Sequence, residues 1–391
     1  MLQIKNLTVI HKKDLKVLLD DFSFSLNTGN KAVIIGEEGN GKSTLLKLIY
    51  DEKLVEDYVE YKGEIIKGTG RIGYVAQELA EEQRSQTVFQ YFSESPYFFD
   101  LNPKELSEIA VKLGLPHDIY YSQQLVGTLS GGEKVKVQFA KMLMGRPDVL
   151  LLDEPTNDID IDTLEWLEEY INICGLPLIF VSHDETLIEK TANVIIHIEQ
   201  VRRKTLSRHT IAKMPYTQYL QEREAKLSHQ EQIAKKEQSE FEARMEKYRK
   251  IYRQVEHEQR TISRGDPSGG RLLKKKMKSL KAMGKRFEKE KESMTQAPDT
   301  EEAIMIKFDE NITVPKGKTV IDFESDLLCI GERVLSRNIK LMVTGGQKIC
   351  IIGKNGIGKS ILLKKITEQI LDREDIKVGY MPQDYEEMLD L

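Results

Sequence analysis

The sequence has no run of about 18 apolar residues, the length a membrane-crossing helix requires. Its first residues, MLQIKNLTVIHKKD, place charge every few positions and contain no apolar leader core. Three cysteines, Cys174, Cys329 and Cys350, are scattered over 391 residues with no CxxC and no Cys/His spacing. That excludes a zinc site or disulfide framework of familiar spacing and points to a reducing, cytoplasmic setting. What remains is ordinary globular composition, 40% hydrophobic and 31% charged, long enough for two or three domains.

Charge is distributed unevenly. The chain is formally −5, yet between Lys213 and Glu292 22 Lys/Arg meet 13 Asp/Glu, so this segment is +9 and the remainder −14. The gradient is steepest in GDPSGGRLLKKKMKSLKAMGKR, Gly265 to Arg286, with eight basic residues and one acidic. A basic middle between acidic flanks points to a polyanionic partner for the middle.

The sequence also repeats itself. KAVIIGEEGNGKSTLLKLI (Lys31 to Ile49) returns as QKICIIGKNGIGKSILLKKI (Gln347 to Ile366). Each copy reads as an apolar strand, a glycine loop, Lys-Ser and an apolar helix. Downstream of each stands Gly-Tyr-X-X-Gln, ending at Gln77 and Gln383. In GxxxxGK[ST] the glycines let backbone N–H groups approach phosphate oxygens, and the following helix presents its N-terminus to the anion. The nucleotide-binding candidates are therefore Gly36, Gly39, Asn40, Gly41, Lys42, Ser43 and Thr44 in the first copy. In the second they are Gly353, Asn355, Gly356, Gly358, Lys359, Ser360 and Gln383. Lys42 can reach the β/γ-phosphates of ATP, and the Ser43 hydroxyl, with Ser360 in the second copy, can ligate Mg²⁺. VLLLDEP (Val149 to Pro155) reads as a buried parallel strand ending in Asp153, placed for the Mg²⁺ shell, and Glu154, placed to polarise an attacking water. LSGGEKVKVQFAK opens a helix at Ser130, Gly131 and Gly132, a second anion-binding turn. LIFVSHD is a further strand, carrying His183 toward a γ-phosphate.

In this order and spacing, these residues resemble the ATP-binding cassette superfamily. LSGGE is similar to its signature, Gln77 to its Q-loop, DEPTNDID to its Walker B and D-loop region, and His183 to its switch histidine. The resemblance implies an α/β P-loop fold, an ATPase, catalytic roles for Glu154, His183 and Gln77, and Gln77 also at the Mg²⁺. Two cassettes, no membrane segment and a charged linker resemble the ABC-F subfamily, most closely its antibiotic-resistance, ribosome-protection branch. That implies cytoplasmic proteins bound to ribosomes, with the linker pointing at large-subunit rRNA and tRNA near the peptidyl-transferase centre. A membrane domain and DNA are not expected as partners. A housekeeping translation factor, a transporter ATPase subunit and a DNA-repair ATPase are the alternatives. The chain departs from the family at Glu38, where Asn is usual, and lacks the usual adenine-stacking aromatic residue, for which His11 is the nearest candidate.

The expected organisation is a first cassette over 1–211, an antiparallel helical linker over 212–298, and the N-terminal part of a second cassette over 299–391. Apolar residues every seven positions, Leu220, Leu227, Ala234, Phe241, Tyr248 and Val255, mark one long helix. From Pro215 to Glu258 it would extend about 66 Å. Leu273, Leu280, Phe287 and Met294 mark a second seam, and ISRGDPSGG (Ile262 to Gly270) the reversal between them. The rRNA-contact candidates cluster at and after that tip: Arg264, Arg271, Lys274, Lys275, Lys276 and Lys278. In the superfamily each ATP lies between one cassette's P-loop and the other's signature. The chain is expected to be a fragment, or an early-stop product, of a longer protein, to bind ATP and to hydrolyse it poorly. Exposed apolar surface is expected after about Lys348.

Overall fold

The computed structural model describes residues 2–201, 206–261, 267–295, 297–298, 314–330, 333–371 and 373–381. Two compact units emerge. One joins Met1–Glu199, Ser207–Lys213 and Glu302–Leu391; the other joins Gln200–Leu206 and Met214–Glu301.

The first unit is mixed α/β. Strands β1 (Leu2–His11), β2 (Val17–Leu26) and β4 (Val59–Ile66) form an antiparallel sheet in the order β2-β1-β4. A second sheet has six strands in the order β5-β6-β7-β3-β8-β9. These are β3 (Lys31–Ile35), β5 (Ile72–Val75), β6 (Val149–Asp153), β7 (Leu178–Val181), β8 (Val194–Gln200) and β9 (Leu206–Ala212). β5, β6, β7, β3 and β8 pair in parallel. Every residue of β6, β7 and β8 is buried, which is why VLLLD and LIFV read as unbroken apolar runs rather than alternating ones. The helix Lys42–Tyr50 lies in the same core as both sheets, with Leu45, Leu46, Leu48 and Ile49 packed among Leu7, Phe22, Leu151 and Ile196. Strand C-termini therefore deliver Asp153, Glu154 and the residues after Val181 to one edge.

The glycine before each P-loop helix seats that helix on a leucine. Gly41 has φ 90°, and a Cβ there would lie 3.1 Å from Leu18 Cβ. Gly358 has φ 101°, and a Cβ there would lie 2.7 Å from Leu335 Cδ1. The repeat in sequence is thus a repeat in packing. The second copy is held by an antiparallel pair, β10 (Thr319–Ile330) and β11 (Arg333–Thr344), whose Phe323, Leu328 and Val343 are buried together with Ile366 of the helix Lys359–Ile370. The strand expected before this loop is not formed. Residues 347–352 carry no strand, with Ile349 49% and Ile352 73% exposed. A buried parallel strand forms only against neighbours, and among the described residues none pairs there.

The second unit contains two helices, Tyr216–Thr261 and Pro267–Ser293. They run antiparallel: Phe241 meets Phe287 edge-on at 5.9 Å, and Val255 packs with Met277 and Leu280. Arg244 bonds Glu290 at 2.5 Å. Of the expected seam, Ala234, Phe241 and Val255 are buried, whereas Leu220 remains 37% exposed. The second helix begins at Pro267, inside the stretch expected to be the turn. Proline is tolerated at a first helical position because the N–H it lacks has no partner there. Arg264 lies outside the described residues.

Leu151 is fully buried on β6, between β5 and β7 of the larger sheet. Leu151→Ala should lower unfolding free energy by about 2–5 kcal/mol, measured as a fall in the urea midpoint with the slope preserved.

Candidate nucleotide site

The loop Gly36 to Ser43 leaves β3 and enters the helix Lys42–Tyr50. Gly41 caps that helix without a side-chain bond, which leaves the first-turn N–H groups of Ser43 and Thr44 for an anion. Gly36 runs so close to the Ile198 carbonyl that a Cβ would strike it. Gly39, with φ 75°, has open space around it. Lys42 is buried, and its Nζ donates to the carbonyls of Gly36 (2.8 Å) and Glu37 (3.0 Å), spanning the loop. The Asn40 side chain is fully buried and donates from Nδ2 to the Ile198 carbonyl at 3.2 Å, so it braces the loop wall. Glu38 lies on the exposed rim. The His11 ring is engaged by Asp14, Nδ1 to Oδ1 at 2.6 Å.

Asp153 is fully buried at the end of β6. Ser43 Oγ donates to its Oδ1 at 2.8 Å, and the Tyr74 hydroxyl donates to its Oδ2 at 3.1 Å. Burial pushes the Asp153 carboxyl above the ordinary carboxylate value, and the two hydroxyls offset part of that rise. The Tyr74 hydroxyl is itself pushed up, first by burial and then by the Asp153 charge, so it remains a donor. Mg²⁺ favours oxygen ligands and keeps several waters beside one or two carboxylates and substrate phosphates. Ser43 Oγ and Asp153 are such a set. Mg²⁺ bound by these two groups would share its shell with nucleotide phosphates, and it would supply charge neutralisation there.

Glu154 follows Asp153 in the left-handed region, φ 45°. Asn157 Nδ2 donates to its Oε2 at 3.0 Å, and His183 Nε2 lies 3.4 Å from its Oε1. Glu154 and His183, far apart in sequence, are thus brought together. Neither Tyr74 nor Asn157 was singled out from sequence. Tyr74 stands inside the Gly-Tyr-X-X-Gln stretch, but a tyrosine in a strand signals burial and nothing about its partner.

The signature lies elsewhere in the same unit. Ser130 caps the helix Gly131–Met144, its hydroxyl accepting from the Glu133 N–H at 3.3 Å and donating to the Glu133 carboxylate at 2.8 Å. Gly131 and Gly132 are required by close packing: a Cβ on the first would strike the Asp158 carbonyl, and on the second Thr163 Oγ1. Asp158, with φ 57°, turns that carbonyl toward the second P-loop. Asn355 Nδ2 donates to it at 2.5 Å, and the Asn355 N–H donates to Asp160 Oδ2 at 3.1 Å. Burial pushes the Asp160 carboxyl up, but bonds from Thr163 and Asn355 outweigh it and hold it below its ordinary value. Lys354 pairs with Asp162 at 2.9 Å. The result is a cavity of about 1020 Å³ lined by Ser130 and Gly131 on one side and Gly353, Gly356, Gly358, Lys359 and Ser360 on the other. Gln77 also lines it. Lys359 Nζ donates to the carbonyls of Gly353 and Lys354 (2.6 and 2.9 Å), as Lys42 does in the first loop. Gln383 lies outside the described residues. Arg271, Lys274, Lys275, Lys276 and Lys278 are all exposed on the helix Pro267–Ser293.

Ser43→Ala removes the hydroxyl bonded to Asp153. A hydrogen bond to a charged group contributes about 1.5–3 kcal/mol, so Mg²⁺-dependent ATP binding should weaken by roughly tenfold or more. Binding in EDTA should change less. Titration with a fluorescent ATP analogue checks both.

The ABC transporter family model matches residues 19–157. The chain is 30% identical over 370 residues to the ribosome protection protein VmlR of Bacillus subtilis, covering 92% of this chain and 61% of that protein. It is 25% identical to ABC transporter F family member 5 of Arabidopsis thaliana, covering 96% and 57% respectively. It is 27% identical to the ATP-binding protein Uup of Escherichia coli, covering 93% and 57%. The chain thus spans about three-fifths of the length of these relatives. Residues 19–157 thus match an ATP-binding cassette domain, and the relatives that the chain resembles along more than nine-tenths of its length are ABC-F proteins.

Proposed function

We propose that this chain belongs to an ATP-gated ribosome-binding factor whose helical hairpin meets large-subunit rRNA, and neighbouring tRNA, near the peptidyl-transferase centre. The observation that carries the reading is the composition and exposure of one helix. Pro267–Ser293 carries ten Lys/Arg against three Glu, and Arg271, Lys274, Lys275, Lys276 and Lys278 are all exposed. RNA is met largely through phosphates and shape, and such contacts need exposed cations. A protective role against ribosome-targeting antibiotics is supported by the similarity to VmlR, itself described as a ribosome protection protein. The ATPase subunit of a membrane transporter finds less support, since the helical pair Tyr216–Thr261 and Pro267–Ser293 has no use in that role.

ATP supplies the gate. Its phosphates would lie on the second P-loop, under Ser130 and Gly131, so that binding favours the form in which these two sides meet. Hydrolysis of ATP to ADP and phosphate releases that form. Glu154, oriented by Asn157 and beside His183, is the group placed to polarise water at the first loop.

Two tests follow from this reading. Glu154→Gln should retain ATP while removing the water-polarising carboxylate, so ribosomes pelleted with ATP should carry more of the variant than of the parent. No ribosome association by the variant at moderate salt overturns the proposal. Neutralising Lys274, Lys275 and Lys276 to Gln should weaken ribosome binding and flatten its salt dependence by roughly one unit of slope for each phosphate no longer neutralised, with ATP affinity unchanged. Antibiotic susceptibility of cells expressing the factor then separates protection from a housekeeping role in translation.

A further inference from the structure

The two helices of the second unit are sealed by Phe241 against Phe287 at one level and by Val255, Met277 and Leu280 at another. Between those levels the helices meet closely: a Cβ on Gly284 would lie 2.8 Å from the Tyr248 hydroxyl oxygen and 3.5 Å from its Cζ, so the glycine lets that ring approach. Beside this contact lies a groove of about 480 Å³, inside the range of about 300–1,000 Å³ that small-ligand sites occupy. Tyr248 and Tyr252, both half-buried with rings 5.9 Å apart, form part of its wall. Phe287 packs edge-on against Tyr248 at 5.5 Å and fixes that ring.

The rest of the wall is cationic in an unusual way. Elsewhere on the long helix, three cations are matched by glutamates four residues away, Lys235 with Glu231, Lys250 with Glu246 and Arg260 with Glu256. Arg249 and Arg253 instead stand four apart from each other, as do Lys281 and Lys285 on the facing helix, and all four line the groove. Among the described residues none of the four is in an ion pair. Like charges at this spacing repel, and here two such pairs face one slot containing a single carboxylate, Glu288. A bound polyanion relieves that repulsion.

We propose that this groove is a subsite for single-stranded RNA, distinct from the lysine cluster nearer the start of the helix. A backbone phosphate lies between the Arg249/Arg253 and Lys281/Lys285 pairs, and an unstacked base packs on Tyr252. Stacking rings beside cations are what sequence-tolerant single-strand binding requires. An A-form duplex keeps its bases stacked inside and has none to place in a slot. Lys274 and Lys285 are separated by about 16 Å along the helix, so one strand could touch both regions. The proposal rests on the reading of the hairpin as an RNA-binding element.

The test uses the full chain, with fluorescence anisotropy of a labelled oligouridylate, of the same strand with an abasic position, and of an RNA duplex. Tyr252→Ala should weaken oligouridylate binding by roughly 5- to 100-fold, with little change for the duplex. Tyr252→Phe should keep parental binding, and far-ultraviolet circular dichroism should show unchanged helicity in both. Gly284→Ala, whose added Cβ would displace the Tyr248 ring that walls the groove without altering charge, should act like Tyr252→Ala. The abasic strand should lose most of the advantage of the single strand. If the Lys274/Lys275/Lys276 variant loses RNA binding while Tyr252→Ala and Gly284→Ala bind oligouridylate as the parent does, the groove proposal is overturned and the RNA reading of the hairpin stands. If no variant changes any RNA binding, both fall. Binding of polyglutamate, but not oligouridylate, that depends on Arg253 and Lys281 also overturns the proposal and makes the groove an acidic-peptide site.

Discussion

The first nucleotide loop depends on one buried carboxylate. Asp153 sits with no solvent exposure at the end of a strand that is buried throughout. An ionised group in that position is costly unless it is hydrogen-bonded, and here it has two hydroxyl donors from two other elements. Ser43 fastens it to the start of the P-loop helix, and Tyr74 fastens it to β5. The same three-way contact sets where the next residue, Glu154, begins, and a left-handed backbone there turns its side chain toward Asn157 and His183. Remove the buried carboxylate and the loop, the neighbouring strand and Glu154 lose their common reference point.

The second loop is organised around a backbone carbonyl instead. Asp158 presents its oxygen where the signature glycine leaves room, and the Asn355 amide takes it up. The two loops differ at the matching positions. Lys354 and Asn355 in the second correspond to Glu37 and Glu38 in the first. Lys354 meets Asp162, and Asn355 donates from its side-chain amide as well as its backbone N–H, whereas a glutamate at the matching site keeps only the backbone donor. Two loops with one motif therefore need opposite kinds of neighbour.

Much of this was legible in the sequence because phosphate chemistry fixes both residue type and spacing. The P-loops, the Ser-Gly-Gly turn and the Asp153–Glu154 pair stand on the elements their flanking patterns imply, and the helical seam identified Phe241, Val255, Leu280 and Phe287 as contacts between helices. What stayed hidden was direction and partnership. Asn40 reads as part of a phosphate loop, yet its side chain turns inward to Ile198. Pro267 reads as a breaker, yet it starts a helix. Lys348 to Ile352 has the composition of a buried strand, but a strand is a relation between segments distant in sequence, and periodicity carries no trace of whether the neighbour is present. The groove beside Gly284 was hidden for the same reason, since a glycine in a helix reveals a close approach only once the facing residue, here Tyr248, is known.

That unformed strand gives the two nucleotide loops different thermodynamic characters. The first loop is continuous with a sheet whose backbone groups are already paired, so a ligand meets a shape that exists before it arrives. The second is anchored at its glycine by Leu335 and at its tip by Asp158, while the stretch feeding into it is mostly exposed and has no sheet partner among the described residues. Ordering such a backbone costs conformational entropy. The same nucleotide would therefore bind the two loops with different heats and entropies even where its contacts are identical, and calorimetry would resolve two classes of site in a chain whose motifs look like copies.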